Sequence, residues 1–303
     1  MSSLYLITGF LGAGKTTFLK NMVRCFPGRK PALIVNEFGR EGVDGALLSE
    51  LGVAMTEIDN GSIFCSCRLD QFESALAGTL AQGPDVILVE ASGLADPTSV
   101  RKVLDQPARF PGLVYAGAIC LVDAGQFHKV FATTRVCALQ LAVSDLVLIN
   151  KTDLAAPEAV ARVRAEVLAQ RPGCQVHETT FGQLEASWLS ALSAPPARTS
   201  AAVPHVKDIT LQKFTLVLDE ILSAAALESL LSLFAGDTYR IKGFAPLAEG
   251  LFLVDCVGPQ IQLTPWPGMA PNPGRLSVLF GNGQNARRSV QTAIDRRSGL
   301  HIE

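Results

Sequence analysis

Histidine is scarce in this chain, four residues in 303, and His128, His177, His205 and His301 stand far apart with no histidine-rich tail. A metal site assembled mainly from imidazoles is therefore not expected. A surplus of one charge is missing as well: 26 Lys and Arg against 28 Asp and Glu leave a formal charge of -2. That balance gives no reason to expect nucleic acid or an anionic membrane as partner. No apolar run approaches the length that spans a bilayer, and Met1-Ser2-Ser3-Leu4-Tyr5 carries no basic leader ahead of an apolar stretch. The expectation is a soluble, cytoplasmic chain. The seven cysteines include one close pair, Cys65 and Cys67. This is not the pattern of a secreted disulfide framework, so the thiols are expected to be reduced.

With 303 residues and 48% hydrophobic content the chain can bury a sizeable core, and two domains are the better reading. Short apolar runs at 4–8, 32–36, 53–58, 85–90, 114–123, 146–150 and 175–179 alternate with segments of helical composition, such as 71–81, 97–104 and 157–170. The runs are rich in Val, Ile and Leu without strict alternation, as strands buried on both faces of a parallel sheet are. This predicts an α/β domain, doubly wound on a mainly parallel sheet, over residues 1–190. Pro, Ala and Ser then dominate an expected linker at 191–208. Residues 209–303 predict a smaller α+β domain, with strands at 213–218, 239–244, 251–257, 260–263 and 276–280. Its helix at 223–234 carries Leu227, Leu230, Leu231 and Phe234 on one face, and a polar helical tail follows at 285–297.

Directly after the first apolar run stands Gly9-Phe10-Leu11-Gly12-Ala13-Gly14-Lys15-Thr16-Thr17, which satisfies the phosphate-loop pattern G-x-x-x-x-G-K-[ST] between a strand and a helix. Glycines let successive N–H groups turn inward to phosphate oxygens, Lys15 supplies a mobile charge for the β and γ phosphates, and Thr16 offers a hydroxyl to magnesium. The helix expected from Lys15 onward adds the positive end of its dipole. The segment predicts a nucleoside-triphosphate pocket.

Asn150-Lys151-Thr152-Asp153 follows another apolar run and has the form N-K-x-D. An aspartate carboxylate can accept from guanine N1–H and N2–H, whereas adenine would set a lone pair against it, so GTP is preferred over ATP. A plain helix cap by Asp153 is the bland alternative, and an ATP-dependent small-molecule kinase is disfavoured. The run ending in Glu90 leads into Ala91-Ser92-Gly93-Leu94-Ala95-Asp96-Pro97. A carboxylate at that strand tip can approach magnesium, and the Gly93 N–H a γ-phosphate. Many GTPases carry a water-positioning glutamine where this chain has Leu94, so intrinsic hydrolysis is expected to be slow or aided from elsewhere. After the second apolar run, Glu37 and Asp44 are candidates for orienting magnesium-bound or attacking water, and Arg40 for a charge-stabilising finger or, more blandly, a solvated side chain. Lys15, Glu37, Asp44 and Glu90 are thus the candidate catalytic set, with Thr16, Glu37 and Glu90 facing magnesium. The nucleotide set comprises Gly9, Gly12, Ala13, Gly14, Lys15, Thr16, Thr17, Gly93, Asn150, Lys151 and Asp153.

Residues 9–17, 36–39, 90–97 and 150–153, with the later Arg240-Ile241-Lys242-Gly243-Phe244, resemble the CobW family of GTPases over nearly the whole chain. That resemblance implies a relative of the nickel-insertion GTPases and of the chaperones of cobalamin-dependent mutases. It further implies delivery of a metal such as Zn2+ or Co2+, or of a metallocofactor, to a client protein under control of GTP and GDP. A regulatory GTPase acting as conformational chaperone of a corrinoid or other metalloenzyme, without holding metal, is the alternative, and a homodimer is compatible with either. The family usually carries C-x-C-C after an Asn-Gly pair, whereas this chain reads Asn60-Gly61-Ser62-Ile63-Phe64-Cys65-Ser66-Cys67-Arg68. Aligned on Asn60-Gly61 and Arg68, two family cysteines become Ser62 and Phe64, Cys65 is kept, and Cys67 is new. Cys65 and Cys67 can share one transition-metal ion but cannot complete a tetrahedral site alone. Glu37, Asp59, Cys120 or a client would have to supply the rest. Two buried small residues, or a redox-sensitive pair, is the other reading of the same cysteines.

Overall fold

The computed structural model describes residues 1–36, 52–58, 69–192, 211–281, 286–295 and 300–303. The chain divides into two units, each with its own sheet. In the first unit lie strands β1 (Ser2–Gly9), β2 (Pro31–Asn36), β3 (Ala54–Ile58), β4 (Val86–Glu90), β5 (Leu113–Asp123), β6 (Leu146–Asn150) and β7 (Gln175–Glu178). They form one sheet in the order β3-β2-β4-β1-β5-β6-β7, and every pairing is parallel. Its described helices are α1 (Lys15–Arg24), α2 (Leu69–Ala81), α3 (Thr98–Leu104), α4 (Phe127–Thr133), α5 (Arg135–Ala142), α6 (Pro157–Gln170) and α7 (Ala186–Leu192).

The lack of alternation in the strand sequences has a direct cause, because both faces of the sheet are covered. Tyr5, Ile7, Leu33, Val35 and Leu88 enter one apolar cluster together with Phe18, Leu19 and Met22 of α1 and Leu189 and Leu192 of α7. Leu4, Leu6, Ile34, Ile87 and Val89 enter the other, with Phe72 and Leu76 of α2 and Val100 and Val103 of α3. On that side, farther along the sheet, Cys120, Val147 and Ile149 pack with Leu141 of α5 and Val163 of α6. Parallel strands joined by helices have their carboxyl ends at one edge, so the loops that leave β1, β4, β5, β6 and β7 gather there.

The second unit holds β8 (Leu211–Leu218), β9 (Arg240–Leu247), β10 (Gly250–Val257), β11 (Gln260–Pro265), β12 (Arg275–Gly281) and β13 (Leu300–Ile302), with α8 (Ala224–Ser232) and α9 (Ala286–Ile294). The sheet order is β11-β10-β9-β12-β8-β13, and all pairings are antiparallel. One face is apolar: Phe214, Leu216 and Leu218 alternate along β8 and meet Leu227, Leu230 and Leu231 of α8. Ser223 starts that helix, its hydroxyl accepting from the Ala226 N–H at 3.2 Å.

The expected strands and long helices are all found, with shifts of a few residues at their ends. Four elements were not expected: α4, α5, α7 and β13. Of the linker expected at 191–208, Ala191 and Leu192 belong to α7, and the remainder lies outside the described residues. Among the described residues no helix is long and apolar enough to cross a membrane, and Cys25, Cys120, Cys137, Cys174 and Cys256 are free thiols.

Candidate functional site

β1 delivers the chain into the glycine loop at the carboxyl edge, and α1 begins at Lys15. Gly14, with φ 97°, occupies the residue just before the helix, and a Cβ added there would meet Asn150 Nδ2 at 2.4 Å. The backbone must therefore turn left-handed while pressed against the end of β6, and only glycine meets both demands. Ala13 and Gly12 are buried, Thr16 is partly buried and Thr17 exposed. Lys15 is 6% exposed and curls back into the loop, its Nζ donating to the carbonyls of Gly9 at 2.9 Å and Phe10 at 3.3 Å. Exchanging those carbonyls for phosphate oxygens would keep the ammonium paired and shorten its bonds, since charge-assisted contacts are the stronger ones.

β4 ends in Glu90, 4% exposed, whose neighbours across the sheet are Ile7 and Val35. Gly93 follows in the loop between β4 and α3. Gln140, 1% exposed on α5, donates from Nε2 to the Gly93 carbonyl at 3.1 Å and to that of Ala95 at 3.4 Å. Asp96 then accepts from the Thr98 N–H and hydroxyl at 2.9 and 2.6 Å, which starts α3.

At the tip of β6, Asn150 is 2% exposed and both ends of its amide are used. Its Nδ2 donates to the Ala13 carbonyl at 2.8 Å, and its Oδ1 accepts from the Gly182 N–H at 3.0 Å. Asn150 is thus a strut between the glycine loop and the loop after β7. Lys151 has φ 61° and pairs through Nζ with Asp123 Oδ2 at 2.8 Å, while Asp123 Oδ1 accepts from the N–H groups of Gly125 and Gln126 at 2.9 and 3.1 Å. Asp153 is exposed on a short 3-10 turn over Thr152–Leu154, and it does not cap α6, whose first residue is Pro157 after Ala156. The bland reading of Asp153 as the cap of that helix is therefore corrected.

An apolar cavity of about 30 Å³ lies beneath the glycine loop, lined among others by Phe10, Leu11, Cys120, Phe127, Cys137 and Gln140. Burial pushes the thiols of Cys120 and Cys137 up to about 12, so both are neutral near pH 7.

The structure thus places residues 9–17, Glu90, Gly93, Asn150, Lys151 and Asp153 at or just beyond the carboxyl ends of β1, β4 and β6, on one edge of one sheet. Glu37, Arg40, Asp44, Asp59, Cys65 and Cys67 lie outside the described residues. Sequence reasoning missed Asp123, Gln140 and the segment 179–183. Asp123, an acid at a strand tip like Glu90, had a legible signal; a buried glutamine on a helix had none. The donors beside the glycine loop, a threonine hydroxyl and a buried carboxylate, are hard oxygens that fit magnesium rather than a soft ion.

The nucleotide-binding domain described as CobW/HypB/UreG matches residues 3–178. The chain is similar to the zinc chaperone CobW of Pseudomonas aeruginosa, 31% identical over an alignment, gaps included, of 292 positions that covers 80% of this chain and 76% of that protein. It is also similar to the zinc chaperone CobW of a Sinorhizobium species, 32% identical over an alignment, gaps included, of 341 positions that covers 95% of each chain. The zinc chaperone YeiR of Escherichia coli is 36% identical over 162 residues, 52% of this chain and 49% of that protein.

Proposed function

The chain belongs to the CobW/HypB/UreG family, and from that premise we propose that it is a magnesium-dependent GTPase metallochaperone that passes a metal ion to a client protein under control of its nucleotide state. The observation that carries this reading is the meeting of the glycine loop and the Asn150–Asp153 turn at one sheet edge, tied by the two hydrogen bonds of Asn150. A phosphate site and a guanine-reading turn are thereby held at a fixed separation. Zinc is the cargo best supported, because the similar proteins are named zinc chaperones.

Phosphoryl transfer of this kind needs little covalent help, so the residues act by position and charge. Lys15 moves from the Gly9 and Phe10 carbonyls to the β and γ phosphates, and the first N–H groups of α1 face the same oxygens. The Gly93 N–H meets the γ-phosphate on a loop steadied by Gln140. Thr16 and Glu90 would hold magnesium, which supplies neutralisation of charge on the phosphates. Glu37 and Asp44 are proposed to orient the water. With Leu94 where a glutamine would position that water, unaided turnover should be slow.

Equilibrium dialysis of zinc against the protein, loaded in turn with a non-hydrolysable GTP analogue and with GDP, tests the coupling. Expected is a difference of about 10-fold in zinc affinity between the two states, within the usual range of allosteric coupling, abolished by Cys65→Ser with Cys67→Ser. Equal affinity in both states would overturn the nucleotide coupling, no effect of the double substitution would overturn Cys65 and Cys67 as ligands, and no zinc binding in either state would leave the conformational chaperone without metal. Equal turnover of ATP and GTP would overturn the guanine half.

A further inference from the structure

Phe181 is a bulky residue in a place that suits neither its backbone nor its side chain. Its φ is 51°, in the left-handed region where aromatic residues are outliers, and the residue is 68% exposed. Four hydrogen bonds hold the turn that carries it, one of them to Phe181 itself. Asn21 of α1 donates from Nδ2 to the carbonyls of Phe181 and Gly182 at 2.9 and 3.0 Å. The Gly182 N–H donates to Asn150 Oδ1, and the Thr179 hydroxyl donates across the turn to the Gln183 carbonyl at 2.8 Å. A Cβ at Gly182 would meet the Phe18 backbone at 2.9 Å, so the loop lies directly on the first turns of the helix that follows the glycine loop. Thr152, next to Asp153, reaches the same loop through its hydroxyl, which donates to the Thr179 carbonyl at 3.2 Å.

Single exposed apolar residues are ordinary, and a left-handed residue in a turn is not rare by itself. An exposed aromatic residue with a positive φ, in a turn tethered by four hydrogen bonds at the edge of a ligand site, is a different matter, because strain of this kind persists only where the surroundings enforce it. Three of the four bonds come from outside the turn, two from Asn21 of the glycine-loop helix and one from the Asn150 strut of the N-K-x-D turn, the two elements a guanine nucleotide would span. We infer that Phe181 is a base-stacking wall of the nucleotide site, its ring lying against the flat face of a purine whose edge is read by Asp153. This rests on the guanine-nucleotide reading above and deepens it, since it assigns the face of the base as well as its edge.

The test uses the full chain, titrated calorimetrically with GDP and magnesium. Phe181→Gly removes the ring and accepts the positive φ, so the fold should be retained or slightly stabilised. Expected is a roughly 10-fold weaker GDP affinity, in the range of base–aromatic stacking, with Phe181→Tyr restoring it. GDP affinity of Phe181→Gly within about twofold of the parent, with an unchanged thermal midpoint, would overturn the stacking role. Asp153→Asn, titrated with GDP and with xanthosine diphosphate, separates the two ideas. A switch of preference toward the xanthine nucleotide, with Phe181→Gly silent, overturns only the wall; no switch overturns the guanine reading itself.

Discussion

Asn150 shows how much one side chain can carry when both of its polar ends are buried and used. Removing its amide leaves the Ala13 carbonyl and the Gly182 N–H without partners in a water-poor seam, a loss of about 1–3 kcal/mol. Asn150→Ala should lower the chemical-denaturation stability by that amount and weaken GDP binding at least tenfold, because the glycine loop and the loop after β7 come apart. An unchanged GDP titration would show that the strut is not needed for binding. This residue was legible in sequence as part of N-K-x-D, yet its work as a strut was not. The partners lie 137 and 32 positions away, and no local pattern announces them.

At the scale of the element, α5 matters through Gln140, which joins the helix to the loop after β4. The loop's own sequence, rich in small residues, does not fix its path; a buried amide donor facing two of its carbonyls does. In the proposed mechanism the Gly93 N–H meets only the γ-phosphate. Gln140→Ala should therefore weaken a GTP analogue by about 10-fold while leaving GDP nearly unchanged. Parallel titrations with the two nucleotides check this, and equal losses for both would reduce Gln140 to a packing role. Helix α5 itself escaped the sequence reading. It is short, and a single extended residue, Thr134, parts it from α4, so no amphipathic period runs long enough to be read. The short β13 escaped for a related reason, since its three residues are ordered by pairing with β8 and not by their own propensity.

Across the whole molecule, thiols are packed into the cores of both units. Burial pushes Cys120 and Cys137 in the first unit, and Cys256 in the second, up to about 12, and Cys174 to about 11. These folded-state values lie above those of the unfolded chain, so the protons are held more tightly in the fold. The stability they contribute is complete below about pH 8.5–9 and declines as pH rises toward the folded values. Urea midpoints should accordingly fall between pH 8.5 and 10.5, and Cys120→Ala should flatten the decline even if it lowers the midpoint at pH 7. A midpoint that stays level with pH would mean that these thiols ionise in the folded chain as easily as in the unfolded one.

Sequence alone determined the class of both sheets and where the glycine loop and the N-K-x-D turn fall along the chain, because each depends on spacing within a few residues: a glycine before Lys15, an acid three after Asn150, apolar runs of strand length. Tertiary structure alone decided what those motifs lean on. The Asn21 amide beneath Phe181, the Gln140 amide beneath Gly93 and the Lys151–Asp123 pair join segments 160, 47 and 28 residues apart. Such contacts form only when parallel strands bring distant loops to one edge. The energy of a buried hydrogen bond depends on where its partner stands in space, and the order of residues along the chain does not record that position.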